Sequence, residues 1–300
     1  MKRQDKHPGC PIRSHVARFF SLFTLFLAAA FLCSCGKEAA GKREFVSTSG
    51  DFNSPKYIIG VISETNSCIE AKSKFPQARF REYETASDAY PDLENGVINA
   101  IAFDRPVLDY ASRTRDVFAL MQDNYAEGHV AIAVAPSKPE LLQNVNAFLR
   151  EYFSSGLYDN MYTRWIKSNA PEMPKIPVPV NPYGKLIVGT ENTNEPMNFT
   201  ESDGSPAGFD VELIYRLAAA FNLSVEIKVM PYLDLYTAVE ESAVDLAIAS
   251  MDKRDGDNRN ILFSEEYIDC PASIMTRKSI YKPKGGSGNS LKTPQELAGS

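Results

Sequence analysis

The sequence predicts an α/β protein with mainly parallel sheets, on three observations. Short continuous runs of apolar and β-branched residues recur along the chain, as strands buried on both faces require. They alternate with stretches whose apolar residues fall on one helical stripe. A proline-rich stretch divides the body into two halves that repeat this grammar. With 300 residues, 44% hydrophobic and 23% charged, the chain has room for one large or two medium domains, and its composition excludes disorder, collagen and a polytopic membrane protein.

The N-terminus reads as an export signal. Five bases (Lys2, Arg3, Lys6, Arg13 and Arg18) precede an apolar run from Phe19 to Leu32, too short and too abruptly ended to span a bilayer. The run closes on Leu32-Cys33-Ser34-Cys35-Gly36, which resembles the bacterial lipobox, where a cysteine three residues after a leucine is diacylated and becomes the new N-terminus. Residues 1–34 are then a lipoprotein signal peptide and Cys35 is the lipidation site. Two or three acyl chains anchor a protein firmly to a membrane where one does not. A plain cleaved signal with two incidental cysteines is the alternative. Residues 35–55 are small and polar and read as a flexible tether.

The body begins with the strand Tyr57 to Ile62. Ala100 to Phe103 and His129 to Val134 have the same character. Leu141, Leu142, Val145, Phe148, Leu149 and Tyr152 share one helical face. Pro171, Pro174, Pro177, Pro179 and Pro182 remove backbone donors and fix φ, so residues 171–183 are a linker rather than helix or central strand. The second half repeats the pattern with strands at Leu186 to Gly189, Val225 to Val229 and Leu246 to Ala249, and a helix carrying Leu213, Ile214, Leu217, Ala218 and Phe221.

Charge and residue counts exclude several functions. Without residues 1–34 the chain holds 27 basic and 37 acidic residues, a surface that phosphate backbones repel, so nucleic acid is not the partner. His7 and His15 precede the apolar run and leave His129 alone in the body, which excludes a His-rich metal site. Cys68 and Cys270 allow at most one disulfide in the body; both read as small buried fillers.

From Gly184 onward the chain resembles a known family. The segments are Lys185-Leu186-Ile187-Val188-Gly189-Thr190, Pro196-Met197-Asn198-Phe199, Gly208-Phe209-Asp210-Val211-Glu212-Leu213, Asp245 to Met251 and Phe263-Ser264-Glu265-Glu266-Tyr267. They resemble the first lobe of type 2 solute-binding proteins, the amino-acid-binding partners of bacterial ABC transporters. Gly60-Val61, Asn95 to Pro106 and Gly156 to Trp165 resemble the rest of that family, in reversed order. The final Leu291 to Ser300 resembles the short helix leading into lobe two, whose next strand would be Tyr57 to Ile62. Circular permutation of one complete binding protein accounts for this order; a truncated tandem is the alternative.

The resemblance implies two lobes joined by two crossing strands, with a ligand in the cleft at the strand C-termini. Lobe two would comprise residues 56–128 plus 271–300, and lobe one 129–170 plus 184–270. The hinge would lie near Glu127 to His129 and Tyr267 to Pro271. A small-molecule ligand, an ABC permease and a membrane reached through the lipid anchor are the implied partners, in an extracytoplasmic location. No cofactor or metal is implied.

The family's site residues carry over unevenly. Asn194 stands where a stacking aromatic is usual. Asp252 and Asp257 stand where a hydroxyl and an arginine hold the α-carboxylate, so the ordinary clamp is missing unless Arg254 or Arg259 replaces it. Asp104 matches the acid that receives the amino group, Glu191 matches a place where an acid meets basic side chains, and Glu64-Thr65-Asn66 replaces a Gly-Thr-Thr anion loop. Ser250 completes the ligand-binding set. Five acids in one cleft imply a cationic or neutral amino-acid-like ligand; a decayed site whose acids are merely solvated is the other outcome. A sensory or cell-wall-associated lipoprotein, or an enzyme resembling cyclohexadienyl dehydratases with Glu191 opposite Arg254, are the further readings.

Overall fold

The computed structural model describes residues 44–252, 259–285, 291–292 and 296–297. Cys35, Arg254, Asp257 and Ser300 lie outside the described residues. Residues 45–300 form one compact unit.

After a 3-10 turn at Ser49–Phe52 the chain runs β1 (Ile58–Ile62), α1 (Asn66–Lys74), β2 (Arg79–Tyr83), α2 (Ala86–Glu94), β3 (Ala100–Asp104), α3 (Arg105–Thr114) and β4 (Phe118–Ala126). It continues with β5 (His129–Val134), α4 (Pro139–Ser154), α5 (Leu157–Tyr162), a π-helical turn at Thr163–Lys167 and β6 (Gly184–Thr190). Three short strands follow, β7 (Thr193–Asn194), β8 (Asn198–Thr200) and β9 (Pro206–Ala207), then α6 (Phe209–Ala220), β10 (Leu223–Val229), α7 (Tyr232–Glu240), β11 (Leu246–Ala247), β12 (Leu262–Asp269) and β13 (Ala272–Arg277).

The fold is two-lobed, each lobe built on a five-stranded open sheet. The first sheet has the order β2-β1-β3-β13-β4 and the second β10-β6-β11-β5-β12. Pairing is parallel except along β13 in the first sheet and β5 in the second. Strand β6 thus shares a sheet with β5, and β13 with β1. Two short connections pass between the sheets, Glu127-Gly128 from β4 to β5 and Cys270-Pro271 from β12 to β13.

Burial explains which strands the apolar runs mark. Central β1, β3 and β5 are buried almost throughout, so both faces must be apolar. Edge strand β2 is exposed or partly exposed along its length and carries Arg79, Arg81 and Glu82, which hides it from an apolar-run reading. The strand expected over 246–249 forms ladder pairs only at Leu246 and Ala247. Ser250 takes a left-handed conformation at φ 50°, a turn that regular strand geometry does not allow.

Helix starts follow ordinary capping. The Thr65 hydroxyl accepts from the Cys68 N–H at 3.2 Å to begin α1, and Thr85 with Asp88 forms a capping box on α2. Helix α4 buries Val145, Phe148, Leu149, Tyr152 and Phe153, largely the stripe read from the sequence. Residues 171–179 lie in no helix or strand. The Trp165 indole is fully buried and donates to Glu212 Oε2 at 2.6 Å. Cys68 and Cys270 are both buried free thiols.

Candidate functional site

A cavity of about 390 Å³ opens where strand C-termini of the two sheets face each other. The end of β1 supplies Ile62 and leads into Ser63, Glu64 and Thr65; β3 supplies Phe103; the segment after β6 supplies Glu191, Thr193 and Asn194; the turn after β10 supplies Pro231 and Tyr232. Glu84, just past β2, completes the described rim. Parallel sheets place ligands at this end because loops, free backbone groups and helix N-termini collect there. A second cavity of about 450 Å³ lies against the proline-rich stretch; its wall, including Met173, Ile176 and Tyr215, offers no charged side chain.

Carboxyl groups dominate the cleft's electrostatics. Burial pushes Asp104 up to about 7, helped by the nearby charges of Asp252 and Glu191 and opposed by hydrogen bonds from Ser67 and Cys270. Glu191 also rises to about 7 through burial, although the Asn194 side chain and the Tyr232 N–H bond to it; Asn194 Nδ2 donates to Glu191 Oε2 at 2.8 Å. Asp210, fully buried, rises to about 7 for the same reason, with Asn198 Nδ2 donating to it at 2.8 Å. A cation entering beside Asp104 and Glu191 would favour their ionised forms, because a positive charge stabilises a carboxylate.

The sequence-selected residues occupy distinct places. Glu64, Thr65, Glu191 and Asn194 line the cavity. Asp104 follows Phe103 at the end of β3 and is partly exposed. Asp252 is partly buried, and its backbone bridges to Val130 of β5. Asn66 is the first residue of α1 and Ser250 donates its N–H to the Tyr267 hydroxyl at 3.2 Å; neither is in the described cavity wall. Asp257 is outside the described residues. The Arg259 guanidinium lies 4.5 Å from the Tyr236 ring centroid and is not in that wall.

Glu64 stands at φ 66°, a region that suits glycine and costs other residues roughly 1–2 kcal/mol. His129 Nδ1 pairs with Glu266 Oε1 at 2.9 Å beside the crossing connections.

Residues 186–286 match the family described as bacterial extracellular solute-binding proteins, family 3. The family 3 match begins on β6 and runs past β13, so it covers the part that supplies Glu191, Asn194, Tyr232 and Asp252. The ABC transporter glutamine-binding protein GlnH of Bacillus subtilis (strain 168) is 26% identical over 111 residues, 37% of this chain and 41% of that protein. The arginine-binding extracellular protein ArtP of the same organism is 32% identical over 94 residues, 31% of this chain and 36% of that protein. The chain thus matches about two-fifths of the length of these relatives, both of which are binding proteins. Among solved structures, the effector binding domain of QuiR in complex with shikimate is similar with a TM-score of 0.40, at 12% identity over 81% of this chain and 94% of that one. No helix among the described residues is long and apolar enough to cross a membrane.

Sequence reasoning missed three residues. Tyr232 supplies an aromatic surface where Asn194 does not; the signal was an aromatic directly after Pro231 at a helix start. Asp210 lay in a quoted motif without a role, and an acid inside an apolar helix is the mark of a buried polar group. Glu84 follows an edge strand with no apolar signature, so no pattern marked it.

Proposed function

We propose that the protein is an extracytoplasmic solute-binding lipoprotein that captures a small polar, cationic or neutral amino-acid-like ligand between its lobes for ABC-type uptake. The observation that carries this reading is the grouping of acids about the cleft: Glu64, Glu84 and Glu191 in its wall, and Asp104 beside it under the charges of Asp252 and Glu191, with burial raising Asp104 and Glu191 to about 7. The family 3 match and the amino-acid-binding relatives support the transport role.

One permuted binding protein is the reading we prefer for the whole chain. It is supported by β6 sharing a sheet with β5, and β13 sharing one with β1. Lobe two is then residues 56–128 plus 271–300, lobe one 129–170 plus 184–270, and residues 171–183 the linker. Cys35 carries the lipid.

A thermal-shift screen of the mature protein against amino acids, amines, peptides and sugars tests the binding role, since a specific ligand stabilises by mass action. A cation should raise the melting temperature, and Asp104→Asn should weaken its binding more than tenfold, about 1.4 kcal/mol. Tight binding of glutamate or aspartate, unaffected by that substitution, would remove the proposal. Turnover of the ligand would replace it with an enzyme.

A further inference from the structure

The cleft holds the means to bind ammonium groups and lacks, among the described residues of its wall, a basic side chain to pair with a carboxylate. Its described wall carries Glu64, Glu84 and Glu191 together with the aromatic faces of Phe103 and Tyr232, and no Lys, Arg or His. Three of the neutral side chains there already donate to the protein. The Thr65 hydroxyl donates to the Ile62 carbonyl at 2.7 Å, the Ser63 hydroxyl to Glu82 Oε2 at 3.1 Å, and Asn194 Nδ2 to Glu191 Oε2 at 2.8 Å. The Tyr232 N–H at the start of α7 also serves Glu191. Arg259, the base that could have supplied a clamp, is over the Tyr236 ring instead.

An α-carboxylate in this space would lose its hydration and meet like charges, with no cationic side chain among the described wall residues to offset them. An ammonium group meets the opposite situation. The acids also come from both lobes: Glu64 and Glu84 follow β1 and β2, Glu191 follows β6. A ligand with two separated positive charges can satisfy acids on both sides, and its methylene chain suits the Phe103 and Tyr232 rings, which also attract cations.

We infer that this cleft selects linear diamines or polyamines, amines without a carboxylate, over α-amino acids. The inference rests on the reading of the cleft as the ligand site and narrows its ligand class.

Matched pairs differing by the carboxylate alone provide the test: lysine with cadaverine, ornithine with putrescine, arginine with agmatine. Each is titrated into the mature protein by calorimetry at pH 8 and low salt. The decarboxylated member of at least one pair should bind tenfold or more tightly than its amino acid, and Glu191→Gln should weaken it at least tenfold. An amino acid that binds as tightly as its amine overturns the inference while leaving the receptor reading intact; loss of that binding in Arg254→Ala would then identify the clamp. Amine binding unchanged in Glu191→Gln also overturns it. Binding of none of the six compounds removes the inference, whereas binding of an uncharged solute in the wider screen would still sustain the receptor reading.

Discussion

A β-carbon on Gly128 would lie 1.9 Å from the carbonyl oxygen of Cys270. The two connections between the lobes therefore cross in backbone contact, and any rotation of one lobe against the other must pass through this point.

Gly128→Ala forces one of the two connections aside. Overpacking of this kind costs about 1–3 kcal/mol, so the denaturant midpoint should fall accordingly. A midpoint equal to that of the unsubstituted protein would mean that the crossing is loose.

Glu212 is fully buried on α6 and is held by three side chains. Trp165 Nε1 donates to it at 2.6 Å, Arg164 Nη2 at 2.7 Å and Arg216 Nε at 2.7 Å. Glu212→Ala strands the paired guanidinium groups and the indole N–H, and breaking a buried pair costs about 3–5 kcal/mol. Trp165 is the one tryptophan of the chain, so its emission reports the loss directly and should shift as water enters.

Proton binding at the cleft gives opposite trends for stability and affinity. Asp104, Glu191 and Asp210 all sit at about 7 in the folded protein, above the 3.8 to 4.5 of free carboxyl groups. The folded state then holds protons that the unfolded chain has lost, so their contribution to stability is full below about pH 4 and declines as pH rises through about 7. Cation affinity runs the other way and should climb between pH 5.5 and 8. The Asp104→Asn, Glu191→Gln double variant should flatten the affinity profile in titrations and reduce the slope of the stability profile in thermal melts, Asp210 supplying what remains; profiles that keep their full slope would assign it to other groups.

The Tyr110 hydroxyl on α3 donates to Glu195 Oε1 at 2.8 Å, joining the lobe of β1 to the loop after β7. A neutral donor to a charged acceptor at the surface contributes about 1 kcal/mol. Tyr110→Phe should weaken ligand binding by about two- to fivefold through a shift towards separated lobes, with little change in melting temperature. A large loss of stability would make the contact structural.

Cys35→Ser should release the protein from the membrane fraction and abolish its acylation. Retention would point to Cys33 or to an uncleaved signal.

The α/β architecture was legible because central strands and helix faces are apolar for reasons of burial alone: Ile58 to Ile62 and His129 to Val134 lie where their patterns put them. Strands β2 and β4, the two edges of the first sheet, were not. Strand β2 is charged, and β4 mixes Gln122, Asp123 and Asn124 with apolar residues because part of it stays exposed. In the site, Glu64, Thr65, Glu191 and Asn194 could be found from the order of motifs, which locates loops at strand ends. Tyr232 and Glu84 could not, since a cavity wall is assembled from segments whose proximity no local pattern encodes.

Strand order in the first sheet also governs how the chain can be made. β13 enters between β3 and β4, and the Thr276 hydroxyl donates to the Asn99 carbonyl, 177 residues away. During synthesis β3 and β4 emerge with a vacant slot between them and must wait for the whole second sheet. Unpaired strand edges are sticky while they wait, and contacts this distant in sequence form slowly. The first lobe cannot mature alone: a nascent chain carries an unfinished sheet until the segment after Pro271 arrives to close it.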